Sequence, residues 1–402
     1  MLWKRAVTQS KKSEHGRLQW LDGAAQVDRE SWNALAKPLA TPFLEWEWLV
    51  NLERSGCAVP AAGWLPRHLT LWQDDTLVAI APLYLKSHSY GEFVFDHQWA
   101  DLAYRLGISY YPKLVGMTPF TPATGYQFLI HPDIADPLPL VDALLAEIDG
   151  FCRQNRLSGC HFLFVEPSWK TIFAERDFLV WQHHSYIWQN NHFGTFDDYL
   201  QSFNANQRKN IKKERRAMAT ANTTMRVYAG EEVSERLLDV MYRLYSDHCD
   251  KYWGSSKYLN HRFFRQLTHN YHDRLVLIAG ESEAAEPIGM SFCIRKGDRL
   301  YGRYWGCFRE IDCLHFNTCY YTPIEWAINE GIQTFDPGAG GEHKKRRGFP
   351  ATANYSLHRL YTPRLRQILI PHLQDVNAYS DRQIEAINRE LPFSQAEPTL
   401  AM

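Results

Sequence analysis

The amino-acid sequence predicts an α+β (mixed α/β) fold of two tandem modules, each a mixed, mostly antiparallel sheet flanked by helices. Runs rich in β-branched and aromatic residues alternate with segments whose apolar residues recur at helical spacing. The same order of elements occurs twice, the first two strands of each half corresponding at an offset of about 206–208 residues. The length, 402 residues, suits two domains of ordinary size.

In the first half, residues 45–52 have helical spacing. Residues 68–72 (HLTLW) read as a strand, 73–75 as a turn, 77–86 as a second strand and 91–95 as a third. Leu140, Ala143, Leu144, Ile148 and Phe151 predict a helix over 138–156, with Asn155 and Gly159 marking its end. Residues 160–165 make the returning strand. The second half repeats this. Residues 237–249 are helical, 274–278 and 288–294 are strands, Gly297-Asp298 is a hairpin turn, and 300–306 is the third strand. A helix over 316–330 ends at Gly331, and 334–336 is the last strand. The junction is expected within 181–195. This gives modules over 15–185 and 186–370 and a helical tail over 371–402, with a helical stretch at 381–390.

Lys and Arg total 44 against 45 Asp and Glu, a net charge of −1. That balance argues against a dedicated nucleic-acid binder or a basic membrane-surface protein. Fourteen Trp, 21 Tyr and 21 Phe exclude global disorder. No apolar signal-like segment follows the N-terminus, and the longest apolar run, 77–85, contains Pro82 and is about half of a spanning helix. Eight scattered Cys, none in a Cys-x-x-Cys pair, fit reduced thiols. The expectation is a cytoplasmic protein with no integral membrane segment. Cys307, Cys313, His315 and Cys319 lack zinc-knuckle spacing, so no metal is expected.

Three segments have the makings of a site. Residues 203–218 (FNANQRKNIKKERRAM) form a basic helix on which Arg208, Lys212, Arg215 and Arg216 share a face; with Lys209 they suit a phosphate-bearing ligand. Residues 336–350 (DPGAGGEHKKRRGFP) follow a strand. Their glycines admit a ligand close to the backbone, Glu342 and His343 can exchange protons, and Lys344, Lys345, Arg346 and Arg347 can hold an anion. In the third segment, Asp96, His97 and Asp101 can supply a general base. Tyr110, Tyr111, Lys113, Thr121 and Thr124 can line a stiff groove, with Lys113 as a further anion anchor. The aromatic clusters Tyr252-Trp253 and Arg303-Tyr304-Trp305 are lesser candidates for substrate contact. No serine nucleophile elbow, His-Glu-x-x-His or kinase set is present. This suits chemistry that positions an amine against an activated acyl group with one modest base.

At these residues the sequence resembles the FemAB-like predicted N-acyltransferases of bacteria, members of the GNAT superfamily related to peptidoglycan biosynthesis. The resemblance is carried by FVFDHQWAD (93–101), YYPKLVGMTPFTPAT (110–124), RKNIKKERR (208–216), GRYWGC (302–307), HFNTCYY (315–321) and DPGAGGEHKKRRGF (336–349). It spans roughly 20–375. It implies two GNAT-like modules and transfer of an acyl or aminoacyl group from acyl-CoA or aminoacyl-tRNA to a small-molecule or peptide amine, with tRNA a possible partner. The positions similar to Fem-type aminoacyltransferases are Arg208, Asn210, Ile211, Lys212, Lys345, Arg347, Gly348 and Phe349. Neither half has a clean copy of the GNAT pyrophosphate turn; the second half has Arg309-Glu-Ile-Asp-Cys-Leu-His315 there, which keeps aminoacyl-tRNA open as donor. The alternative is a non-catalytic protein of this fold that recognises a peptide, a cell-wall precursor or RNA.

Overall fold

The computed structural model describes residues 10–252, 254 and 257–394. The chain divides into two compact units. The first comprises the chain up to His183 with Tyr258–Phe263 and Asn354–Tyr379; the second comprises His184–Lys257, Phe264–Ala353 and the chain from Ser380 on. The sequence assigns 186–370 to one module, whereas Asn354–Tyr379 fold with the first unit. The reason is packing. The Ala351–Leu360 strand pairs with Gly159–Val165, and Leu365, Leu369 and Leu373 recur every four residues to cover Trp99, Ala103 and Tyr110. A single helix, Pro363–Arg389, therefore replaces the expected short stretch at 381–390.

The first unit carries two sheets. One is antiparallel, in the order Ser10–Ser13, Gly16–Leu21, His68–Gln73, Thr76–Ala81, Leu129–Ile130. The other runs Leu179–Tyr186, Ala351–Leu360, Gly159–Val165, Lys113–Gly116, Tyr84–Lys86, Trp64–Pro66. It is mixed, because Lys113–Gly116 and Gly159–Val165 are parallel. The strand expected over 77–86 is cut in two. Pro82 has no N–H to give a ladder, so Thr76–Ala81 stays in one sheet and Tyr84–Lys86 joins the other. Residues 91–95 are not a strand: Phe93 has φ +56°, and Glu92 is drawn inward by Lys113. The neighbour of Tyr84–Lys86 is Lys113–Gly116 instead.

The second unit holds one six-stranded sheet, ordered Trp188–Gln189, Thr334–Asp336, Arg299–Cys307, Pro287–Lys296, Leu275–Glu281, Thr224–Ala229. All pairings are antiparallel except Arg299–Cys307 with Thr334–Asp336. The strands expected at 274–278, 288–294, 300–306 and 334–336 are all present. Thr224–Ala229 was not predicted; it is an edge strand that buries no residue fully, although Met225, Val227 and Ala229 alternate onto the core. Behind the sheet, Val276, Leu300, Ile324, Ile328, Phe335 and Phe349 pack into one core. At about 25 cal/mol per Å² of apolar surface buried, such packing is the main force holding the elements in place. No helix among the described residues is long and apolar enough to cross a membrane. All eight cysteines are free.

Candidate functional site

Two of the sequence candidates meet in the second unit. The Ala205–Thr220 helix is capped by Asn204, whose side chain accepts from the Gln207 N–H at 2.9 Å, and it docks through buried Ile211 and Met218. The Glu342–Arg347 turn is a 3₁₀ helix that follows the glycine-rich loop. Between them lies a cavity of about 980 Å³. Five cations line it, Lys213 and Arg216 from the helix and Lys345, Arg346 and Arg347 from the turn, against the carboxylates of Glu214, Asp312 and Glu342. His343 also stands on its wall.

The wall is held by bonds centred on Glu214. Its Oε2 accepts from the Arg347 Nη2–H at 2.8 Å and from the Tyr321 hydroxyl. The Arg347 guanidinium lies over the Phe316 ring, 3.4 Å from its centroid, and is only 3% exposed. Arg347 Nη1 donates to the His343 carbonyl at 2.9 Å, and its own carbonyl accepts from the Tyr199 hydroxyl. The carboxylate and the aromatic face compensate the cost of burying this cation.

The helix opposite widens through a π turn, Asn317–Tyr321. There Tyr320 and Tyr321 reach different partners: Tyr321 meets Glu214, and the Tyr320 hydroxyl lies 2.8 Å from His343 Nε2. Burial, and then Arg347 and Lys344, push the His343 pKa below its ordinary value. A neutral imidazole at pH 7 is a proton acceptor. Lys344 does not point at a ligand. It is 2% exposed and donates to the Gly338 carbonyl at 2.5 Å and the Ala339 carbonyl at 3.3 Å, closing the glycine loop behind the turn. Burial first, moderated by Asp336, pulls its pKa down to about 8. Asp336 also accepts from the Gly338 N–H at 2.8 Å and pairs with Arg303 at 2.8 Å. At Gly338, with φ +91°, an added Cβ would sit 3.0 Å from the Gly302 carbonyl oxygen, so the loop needs glycine there.

The face expected on the basic helix is rotated. Arg215 is spent on Glu325 at 2.5 Å and on the Phe196 ring, and Arg208 donates to the Phe203 carbonyl at 3.0 Å. Lys209 and Lys212 are exposed and absent from the cavity wall; of the five expected donor contacts only Arg216 lines it. Arg303 is a loop anchor rather than a substrate contact. Tyr304 packs on the Tyr245 ring, and Trp305 lies against His315, centroids 4.8 Å apart. Tyr252 is 59% exposed, and Trp253 falls outside the described residues.

The third segment is a different kind of object. Asp96 is 2% exposed, its Oδ2 2.5 Å from Lys113 Nζ, and it accepts from the Tyr110 hydroxyl at 2.6 Å. Lys113 is 1% exposed and also bonds Glu92 at 2.8 Å and Ser89 Oγ at 2.8 Å. Burial opposes the Asp96 charge, but Lys113 outweighs it and holds the pKa below the usual range. Asp96 is therefore a committed ion-pair partner and Lys113 has no free valence for a substrate, contrary to expectation. Tyr111 shares a hydrogen bond with Ser89 at 2.8 Å. Thr121 is buried and donates to the Pro119 carbonyl; Thr124 is half-buried. His97 and Asp101 are exposed on the His97–Arg105 helix. Sequence reasoning missed Glu214, Lys213, Phe316, Tyr320 and Tyr321. The one available signal was a lone acid inside a run of bases.

Comparison with known proteins adds the following. A FemAB-like family model, described as peptidoglycan biosynthesis/recognition, matches residues 23–395. No curated protein matches the sequence. The crystal structure of FemX superposes with a TM-score of 0.53 at 11% identity, covering 86% of this chain and 98% of that one. The C-terminal DUF2156 domain of a proposed lysylphosphatidylglycerol synthetase from Agrobacterium fabrum gives a TM-score of 0.53 at 8% identity, covering 87% and 96%. At these identities the likeness is one of fold.

Proposed function

Because the chain belongs to the FemAB-like family, we propose that it is an N-acyltransferase. It moves an acyl or aminoacyl group from a phosphate-bearing donor, acyl-CoA or aminoacyl-tRNA, directly to an amine. The observation that carries this reading is a single cavity with five cations and an imidazole held neutral on its wall. The cations suit the phosphates of either donor. Arg346 is exposed and can meet the ligand first, while Arg347 is fixed by Glu214 and Phe316 and Lys345, an expected anion anchor, is paired with Glu390 at 2.5 Å.

In the transfer, the amine nitrogen attacks the acyl carbon. The N–C bond forms and the C–O or C–S bond to the donor breaks. His343 takes the proton lost by the amine, and the leaving oxygen or sulfur is protonated in turn. The Tyr320 hydroxyl orients the imidazole through Nε2. No covalent enzyme intermediate is needed, in keeping with the missing nucleophile motifs.

The purified chain is to be incubated with labelled acyl-CoA and, separately, with charged tRNA, with cell extract as the source of amine. One donor is expected to lose its acyl group to an amine, and His343→Ala to slow that loss by about 10²-fold or more. If neither donor is consumed, the enzyme reading fails.

A further inference from the structure

A second cavity, of about 880 Å³, lies in the same unit and shares Ile311, Asp312, Cys313 and Phe316 with the first. It is built by one face of the Glu235–Tyr252 helix, by the end of the Arg299–Cys307 strand and by the connection that follows. Its chemistry is the reverse of its neighbour's. One cation, Lys251, faces three carboxylates, and that lysine is already bound to Glu310. Asp247 and Asp312 have no ion-pair partner among the described residues. The walls are aromatic: Trp305, Tyr252 at 59% exposure and Phe308 at 45%. Two of these faces already meet cations, Lys251 5.0 Å from the Tyr252 centroid and Arg243 5.2 Å from that of Phe308, and their remaining exposed area beside carboxylates without an ion pair attracts organic cations. His248 and His315 also line the cavity, and neither ring has a hydrogen-bond partner among the described residues. Burial holds both below their ordinary pKa, His315 at about 3. They stay uncharged and do not repel a cation.

We propose that this second cavity is a binding site for an organic ammonium group, held by Asp247 and Asp312 and by the faces of Trp305, Tyr252 and Phe308. The ammonium belongs either to the acceptor amine or to the α-amino group of an aminoacyl donor; this assignment, unlike the binding itself, rests on the transferase reading above. The site adjoins the donor cavity through a thin partition. His315 on one side and His343 on the other have ring centroids 5.7 Å apart. Held as an ammonium the nitrogen cannot attack; it gives one proton to solvent to become the amine, and His343 on the other side of the partition takes the second as the N–C bond forms.

The test uses the full chain and two probes of one shape, n-butylammonium and 1-butanol, in isothermal titrations. The ammonium is expected to bind at least tenfold more tightly. The double variant Asp247→Asn/Asp312→Asn, both exposed positions, should abolish that preference, and Asp247→Asn alone, which lies outside the first cavity, should reduce it several-fold without weakening binding of inorganic pyrophosphate there. Equal binding of the two probes, or a preference that survives the double variant, overturns the proposal. Trp305→Leu supplies a second check and should weaken the ammonium several-fold. In transfer assays, a raised KM for the amine marks the acceptor and a raised KM for the donor marks the aminoacyl group. If no donor turns over while the ammonium preference stands, the transferase reading falls and the binding site remains.

Discussion

The two units use the same residue types to opposite ends. Around Lys113 in the first unit, Glu92, Asp96, Tyr110 and Ser89 close a shell in which the charged side chains are at most 3% exposed. Every strong charge there has a partner within the shell. Around Arg347 in the second unit, Glu214 satisfies one cation, while Lys213 and Arg346 remain exposed on a cavity wall. A lysine between two carboxylates and a run of bases look alike as letters. What separates them is whether the surrounding shell completes the electrostatics or leaves them for a ligand.

The largest effect that would sharpen this contrast is expected from Lys113→Met. It strands Glu92 and Asp96 without their cation, and should cost about 3–5 kcal/mol in chemical denaturation. Transfer per folded molecule should be unchanged; a loss below about 1 kcal/mol would mean that the shell is not held by charge. Next comes Arg346→Glu, an exposed position. It should leave the denaturation midpoint in place yet weaken pyrophosphate about tenfold, and less so in high salt. Unaltered affinity would put the ligand elsewhere.

Acid should strain both units. His161 is held at about 3 by burial and then Lys113, His315 at about 3 by burial and then His343, and His358 is also well depressed. These folded pKa values lie below 6.5, so the unfolded chain binds protons first as pH falls. Their stabilisation is full above pH 6.5 and is lost towards pH 3, at up to about 1.4 kcal/mol per unit and group. Glu92, raised to about 7 mainly by burial, acts in the other direction between 4.5 and 7. Denaturation at pH 7.5, 5.5 and 4.5 should show falling stability. Rising stability on acidification would contradict the buried neutral imidazoles. The smallest effect concerns activity. With the His343 pKa below its ordinary value, the acid limb of the transfer profile should lie under pH 6.5.

Where a segment's environment follows from its own pattern, the sequence sufficed. The central strands of the second unit, Leu275–Glu281 and Pro287–Lys296, run apolar and are buried as expected, and the Leu138–Gln154 helix carries its spacing openly. Residues 91–95 misled because their β-forming side chains sit on a backbone bent to bring Glu92 to Lys113. Asp96 looked like a free base because Lys113, 17 positions away, cannot be seen to fold against it. The basic segment is helical as its pattern implies, but its apolar stripe of Ile211 and Met218 does not fix the rotation finely enough to tell Arg215 from Lys213. That Glu214 meets Arg347 across 133 positions is a property of the fold, invisible in either segment alone.

The π turn at Asn317–Tyr321 has a consequence for how this chain can change. Removing one residue there would restore ordinary helical pitch and swing the preceding turn, with His315 and Phe316, through about 100° about the axis. The partition between the cavities and the cushion under the guanidinium would both move away. At this point segment length is fixed more tightly than composition: many single-letter exchanges should be survivable, whereas loss of one codon should not.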